Sequence, residues 1–176
     1  ALSGNFAITG GTGADTLKGG VGNDIIIGGV GNDAITGNGG ADDIKGGAGD
    51  DTFTFGEGDL TYLDTIDGGA GTDTIKAVID VSDVDFMNVT NIETLTIDEA
   101  GDVSTNVFGA YFNSTGITKV NLDPTHKSTI SAAGTTTGVT YVVAGTTNET
   151  IDAGLGNDTF SFASTNRLTA DDDIDG

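Results

Sequence analysis

Among 176 residues the chain has no cysteine and no tryptophan, and only one proline, one methionine and one histidine. Without cysteine neither disulfides nor thiolate metal sites are available. The single histidine, His126, lies in the loop-like stretch DPTHKS. It has no second imidazole, cysteine or spaced glutamate with which to build a zinc site or activate a nucleophile, so it reads as a surface-loop residue and the chain reads as non-enzymatic. Six scattered lysines and arginines cannot supply the basic footprint that nucleic acid requires. No apolar run approaches a membrane span, and the start ALSGNFAITG lacks both the charged and the hydrophobic parts of a signal peptide, so any export signal is expected outside this chain. Thirty glycines and 6% aromatics do not describe a thick-cored globule; an elongated repeat fits better.

What the chain does have is aspartate. Acidic residues number 27 and the net charge is -21, yet only Glu57, Glu93, Glu99 and Glu149 are glutamate. A short carboxylate held beside a tight turn must be Asp, because Glu would overshoot. The aspartates fall in register: five consecutive nine-residue units, GGTGADTLK, GGVGNDIII, GGVGNDAIT, GNGGADDIK and GGAGDDTFT, run from Gly10 to Thr54. Sixth positions hold Asp15, Asp24, Asp33, Asp42 and Asp51; eighth positions hold Leu17, Ile26, Ile35, Ile44 and Phe53. Glycines at the second and fourth positions, Gly11, Gly13, Gly20, Gly22, Gly29, Gly31, Gly40, Gly47 and Gly49, permit positive φ and bring carbonyls close to a bound ion without a Cβ in the way. Asn38 alone replaces a second-position glycine.

Two units make one coil of an all-β parallel solenoid, with six residues turning and three forming a short strand on each side. Leu17, Ile35 and Phe53 are then predicted to line one sheet and Ile26 and Ile44 the other, with flanking residues facing out. Beyond Thr54 a degenerate unit, Asp59 to Asp67, carries Asp64 and Ile66, and a good copy, GGAGTDTIK, carries Gly69, Gly71 and Asp73. From Ala77 to about Thr147 the metal motif gives way to wider coils whose strands are marked by Ile92, Leu95 and Ile97; by Ile117, Val120 and Leu122; and by Val139 and Val142. Ser104 or Thr105 is predicted to cap a short helix carrying Val107, Phe108, Tyr111 and Phe112. The motif returns as AGLGNDTFS with Gly154, Gly156 and Asp158, and Asp171 to Asp175 reads as an exposed turn. This gives four segments: a repeat region over 1–58, degenerate and single turns over 59–76, a metal-free solenoid over 77–148, and a second turn region over 149–176. DDTFTF at Asp50 recurs as NDTFSF at Asn157, and LTYLDTIDG at Leu60 as LTADDDIDG at Leu168, so a modular array in a longer polypeptide is expected.

Calcium suits this donor set, since it takes six to eight carboxylate and carbonyl oxygens. Turns stacked about 4.8 Å apart pair Asp15 with Asp33, Asp24 with Asp42, and Asp33 with Asp51. Without a cation each such pair repels by roughly 1 to 3 kcal/mol, and glycine-rich turns are costly to order, so folding is expected to be coupled to calcium. Asp73 and Asp158 join the ligand set; Asp64 and Asp172, in degenerate turns, are weaker candidates. Paired acids for glycosidic chemistry are explained more economically as calcium ligands. Ice binding through threonine columns is disfavoured, because the third positions read Thr12, Val21, Val30, Gly39 and Ala48.

Over Gly10 to Thr54, Gly68 to Lys76 and Ala153 to Ser161 the chain resembles the RTX family, and VTNIETLTI at Val89 to Ile97 resembles stretches of RTX-type surface-layer proteins. The resemblance implies a right-handed parallel β-roll with calcium between turns, in a protein exported by type I secretion. Its implied role is a calcium-dependent structural module of a large secreted bacterial surface protein, extracellular and self-associating into a lattice or fibre, with a cell-surface glycan as a further partner. The alternative is the non-catalytic β-roll of a secreted protease or lipase.

Overall fold

The computed structural model describes residues 3–78, 81–98, 103–122, 127–144, 149–162 and 173–175. Strands follow one another as β1 (Ala7–Thr12), β2 (Thr16–Lys18), β3 (Ile25–Val30), β4 (Ala34–Thr36), β5 (Asp43–Ala48), β6 (Thr52–Phe55), β7 (Thr65–Ala70), β8 (Thr74–Ala77), β9 (Val89–Thr90) and β10 (Thr94–Ile97). The series continues with β11 (Val103–Val107), a one-turn helix α1 (Phe112–Thr115), β12 (Lys119–Leu122), β13 (Lys127–Ser131), β14 (Thr140–Val143), β15 (Thr150–Asp152), β16 (Thr159–Phe162) and β17 (Asp173–Asp175). Every pairing among the described strands is parallel, the mark of a solenoid. One sheet stacks β1-β3-β5-β7-β9, a second runs β2-β4-β6-β8-β10-β12-β14-β16, and a third, β11-β13-β15-β17, follows the first.

The nonapeptide dictates this winding. Its eighth residue is flanked by outward-facing neighbours and bounded by turns, so it inserts a single apolar side chain per half-coil. Leu17, Ile35 and Phe53 stack in one column, and Ile26, Ile44 and Ile66 in the facing sheet, as the spacing predicts. Ile26, Ile35, Ile44 and Phe53 are sealed from solvent, while Leu17 in the first coil is only partly buried. In the first sheet β1, β3, β5 and β7 run six residues instead of three, because the second glycines continue the ladder, Gly11 beside Gly29, Gly29 beside Gly47 and Gly47 beside Gly69.

Successive coils advance 18 residues through the strict repeat and 22 where the chain passes through Gly56 to Leu63. In that wider coil Leu60 turns inward. Further on the perimeter reaches 25 residues, enough to enclose Phe86, Phe108 and Phe112. Phe108 stacks on Phe112 with centroids 4.3 Å apart, and Phe86 meets Phe112 edge-on at 5.4 Å.

Three details differ from the sequence expectation. Ser104 and Thr105 lie in β11, held by its parallel partner β13, and cap no helix. The helix is confined to Phe112–Thr115, and its start is fixed by Asp83 of the preceding coil, whose carboxylate accepts N–H groups of Gly109 at 2.8 Å and Phe112 at 2.9 Å. In β14 the inward residues are Tyr141 and Val143, with Tyr141 beside Val120, so Val142 faces outward. The register, invisible in a stretch where both Val and Tyr are apolar, decides between the two faces. Asp173–Asp175, expected in a turn, pairs with β15. His126 and Asp172 lie outside the described residues.

Ile44→Ala removes a fully buried side chain whose stacked neighbours cannot collapse along a rigid ladder. It is expected to cost about 2 to 5 kcal/mol in calcium. Leu17→Ala, at the partly open first coil, is expected to cost less. Equilibrium unfolding in urea with calcium held constant checks the order.

Candidate metal sites along the turns

Turns alternate between two edges. Gly10–Asp15, Gly28–Asp33, Gly46–Asp51 and Gly68–Asp73 stack along one, and Gly19–Asp24, Gly37–Asp42 and the 59–64 turn along the other. Along the first edge, each aspartate's Oδ1 accepts the backbone N–H of the sixth residue one coil earlier: Asp33 from Asp15, Asp51 from Asp33 and Asp73 from Asp51, all at 2.8 Å. The same bond runs along the second edge, Asp24 from Phe6, Asp42 from Asp24 and Asp64 from Asp42, at 2.8 to 2.9 Å. Asp64, outside the predicted ligand set, thus occupies the same structural place as the motif aspartates. Its sequence signal was the spacing to Ile66.

The second oxygens separate the edges. On the first, Oδ2 of Asp15, Asp33, Asp51 and Asp73 is buried with no hydrogen-bond partner. On the second, Gly20 donates to Asp24 Oδ2 at 2.7 Å, and the Thr61 N–H and hydroxyl donate to Asp64 Oδ2. Only Asp42 Oδ2 is left without a partner there. The Asn38 side-chain amide also takes up the Gly19 carbonyl at 3.1 Å. Burying an unpaired carboxylate oxygen is costly unless a cation or donor meets it, so the first edge is the one whose donor set fits calcium. Among the described residues no point gathers three acidic or imidazole side chains. On the first edge the space at the first residue of each turn is bordered both by the free oxygen and by a backbone carbonyl of the next coil, oxygens of the kind a hard ion prefers.

The glycines sort in the same way. Gly11, Gly13, Gly29, Gly31, Gly47, Gly49, Gly69 and Gly71 on the first edge all have positive φ, as do Gly40, Gly154 and Gly156. Gly20 and Gly22 do not, contrary to expectation, since the Gly20 N–H turns inward to its own aspartate. Asn38 takes the left-handed conformation itself, at φ 65, which asparagine tolerates better than other side chains. First-position glycines, left out of the predicted set, are required for space. A Cβ on Gly10 would lie 2.5 Å from Asp15 Oδ2 and 2.6 Å from the Gly28 carbonyl, and Gly28 and Gly46 repeat the crowding.

A counter-running ladder was also missed. Fifth-position side chains accept N–H groups from the next coil: Asn5 from Asn23, Asn23 from Ala41 and Asn32 from Asp50 at 3.0 Å, and Asp50 from Thr72 at 2.8 Å. Its signal was the Asn or Asp preceding the sixth-position aspartate in several units.

After Asp73 the sixth-position bond persists, with glutamate at two levels and with aspartate again in the returning motif. Glu93 accepts from the Asp73 N–H, Glu149 from Ser128, and Asp158 from Val139. Asp158 Oδ2 is buried without a partner, and so is the hydroxyl of nearby Tyr141. Burial, then the charges of Asp158 and Asp152, push that phenol's pKa far up. The outward columns of the second sheet carry Thr52, Thr54, Thr74, Thr94 and Thr96, positions other than the third ones considered above. Exposed Lys18, Lys76 and Lys119 interrupt them, so no continuous polar plane forms.

Metal-free, the buried carboxylates are strained electrostatically. Desolvation raises Asp42 and Asp73 from 3.8 to about 6, helped by Asp64, Asp24 and Asp59 around the first and by Asp51, Glu93 and Asp50 around the second. Asp51 and Asp64 are raised for the same leading reason.

A family model of the RTX calcium-binding nonapeptide repeat matches residues 7–35, 27–59, 61–77 and 136–164, just over half of the chain. No curated protein matches it significantly. The stacked turns, the positive-φ glycines and this match converge: the chain belongs to the RTX family, and its nonapeptide repeats bind calcium.

Proposed function

We propose that this chain is a calcium-set structural module of a large secreted bacterial surface protein, of surface-layer or fibre type, unfolded before export and rigid in extracellular calcium. The observation that carries the calcium-set part is the line of four buried, unpartnered aspartate oxygens at Asp15, Asp33, Asp51 and Asp73. These residues, with carbonyls of the adjoining glycines, would hold the ions; Asp42 and Asp158 are the further candidates. A bound divalent cation supplies charge neutralisation between stacked turns, and its binding energy becomes folding energy. Extracellular modules bind calcium at about 10⁻⁴ to 10⁻³ M, which confines folding to the outside of the cell. The surface role is supported by the modular repeat, in which DDTFTF at Asp50 recurs as NDTFSF at Asn157.

Asp33→Asn keeps the hydrogen bond to Asp15 but removes the charge from the middle of the first edge. It is expected to weaken calcium binding at least tenfold, whereas Asp24→Asn, whose free oxygen is already satisfied by Gly20, is expected to change it only two- to threefold. Calorimetric titration distinguishes them. Electron microscopy of the full-length protein tests the surface role: a lattice or fibre that dissolves on chelation is the expected result.

Acid should act in opposite senses on the two states. Because the metal-free fold holds its Asp42 and Asp73 protons up to about pH 6 while the unfolded chain loses them near 3.8, the fold binds more protons in that window. Stability of the metal-free roll therefore falls as pH rises from about 4 to 6 and is lowest above it. In excess chelator, β-sheet circular dichroism is expected to be stronger at pH 4.5 than at pH 7.5. The calcium midpoint should rise as pH drops below 6, because protons compete for the same oxygens. Asp42→Asn and Asp73→Asn should each flatten the chelator profile.

A further inference from the structure

The ion-bearing edge does not stop where the glycine motif stops. At each level the free aspartate oxygen lies against the first glycine of its own turn and against the carbonyl of the matching glycine one coil on. A Cβ on Gly46, for example, would meet Asp51 Oδ2 and lie 2.6 Å from the Gly68 carbonyl. A Cβ on Gly68 would likewise lie 2.6 Å from Asp73 Oδ2, but the carbonyl closing in from the next coil is that of Asn91. Asn91 follows Thr90, which pairs with Asp67, so it stands where a first glycine would stand. It is held at φ 55, left-handed backbone that asparagine can adopt.

From Asn91 the chain takes a short corner to Glu93 in place of a six-residue turn, and the longer side chain spans the difference. Glu93 Oε2 accepts the Asp73 N–H at 2.7 Å, the bond that the next aspartate makes at every lower level. Asp73 itself is fully buried, and its Oδ2 has no partner. Two carboxylates and a carbonyl therefore meet at a level that contains no glycine-aspartate turn above it.

We infer that Asp73, the Asn91 carbonyl and Glu93 form a closing calcium site at the end of this edge. The inference rests on the reading that the lower levels hold calcium. All three donors are hard oxygens, which suits calcium and not a softer metal. Position gives the site its consequence. The backbone N–H of Thr94 bonds to the Asp73 carbonyl at 3.0 Å, and that of Ile92 to the Thr115 carbonyl at 3.0 Å. An ion here ties the last calcium turn to the first of the wide, aromatic-cored coils.

Crystals of the chain grown in millimolar calcium, with data collected for the calcium anomalous signal, test it directly. A peak enclosed by Asp73, Asn91 and Glu93 is expected, in addition to peaks at the Asp33 and Asp51 levels. Peaks at the lower levels with none above Asp73 overturn the closing site alone, whereas no peak at any level overturns the calcium edge as well. Glu93→Gln retains an acceptor for the Asp73 N–H but loses the charge. By equilibrium dialysis with radioactive calcium it should bind one ion fewer, with β-sheet circular dichroism retained. An unchanged count and affinity would refute the site.

Discussion

A carboxylate shared between two tasks governs this molecule. From Asp24 to Asp73 each sixth-position aspartate spends one oxygen on a backbone N–H of the coil before it, which fixes the register of the stack. Parallel stacking then forces like charges into columns about 4.8 Å apart, and the winding draws the second oxygens in from water. Neither consequence is tolerable alone: repulsion and desolvation both disfavour the ionised fold. A cation between turns relieves both, so the residue that sets the geometry also creates the demand for the ion. The fifth-position ladder, made by asparagines and Asp50, adds stitching in the opposite sense at the exposed rim.

The two edges show how little is needed to release a turn from that demand. On the second edge one inward N–H from Gly20, one amide from Asn38 and one threonine at position 61 supply what the ion supplies elsewhere. The sixth-position hydrogen bond survives in all these turns. Register and ion binding are therefore separable functions of one motif, and the structure uses them together on one side and largely apart on the other.

Most of the roll was legible in the sequence, because a nine-residue period leaves one solution for which residues face inward. Leu17, Ile26, Ile35, Ile44 and Phe53 lie where that period puts them. Legibility failed where the cause was not periodic. The hydrogen bond to Asp24 comes from a backbone N–H, which every unit possesses, so nothing in GGVGND marks it as different from its neighbours. Asp83 caps the helix from the preceding coil, 29 residues back in the chain, which no local pattern records, and Val142 and Tyr141 are equally plausible core residues until register is known. Glu93 was hidden for a different reason: a glutamate does an aspartate's work because the turn beneath it is shorter.

The change from narrow to wide coils follows from perimeter. An 18-residue coil leaves room for one apolar side chain per half, too few to outweigh the entropy of ordering so much glycine. Such a coil must be completed from outside, by an ion. A 25-residue coil encloses Phe86, Phe108 and Phe112, and several aromatic rings in mutual contact bury far more apolar area than a column of single isoleucines. The wide coils thus need fewer glycine-rich turns because they have an internal source of cohesion, and the register bond of the carboxylate continues through them at Glu149 and Asp158. Where the two regimes meet, at Asp73 and Glu93, the second sheet runs through without interruption from β8 to β10, so order imposed by ions on one side of the junction is transmitted through hydrogen-bonded strands to the side that holds itself together.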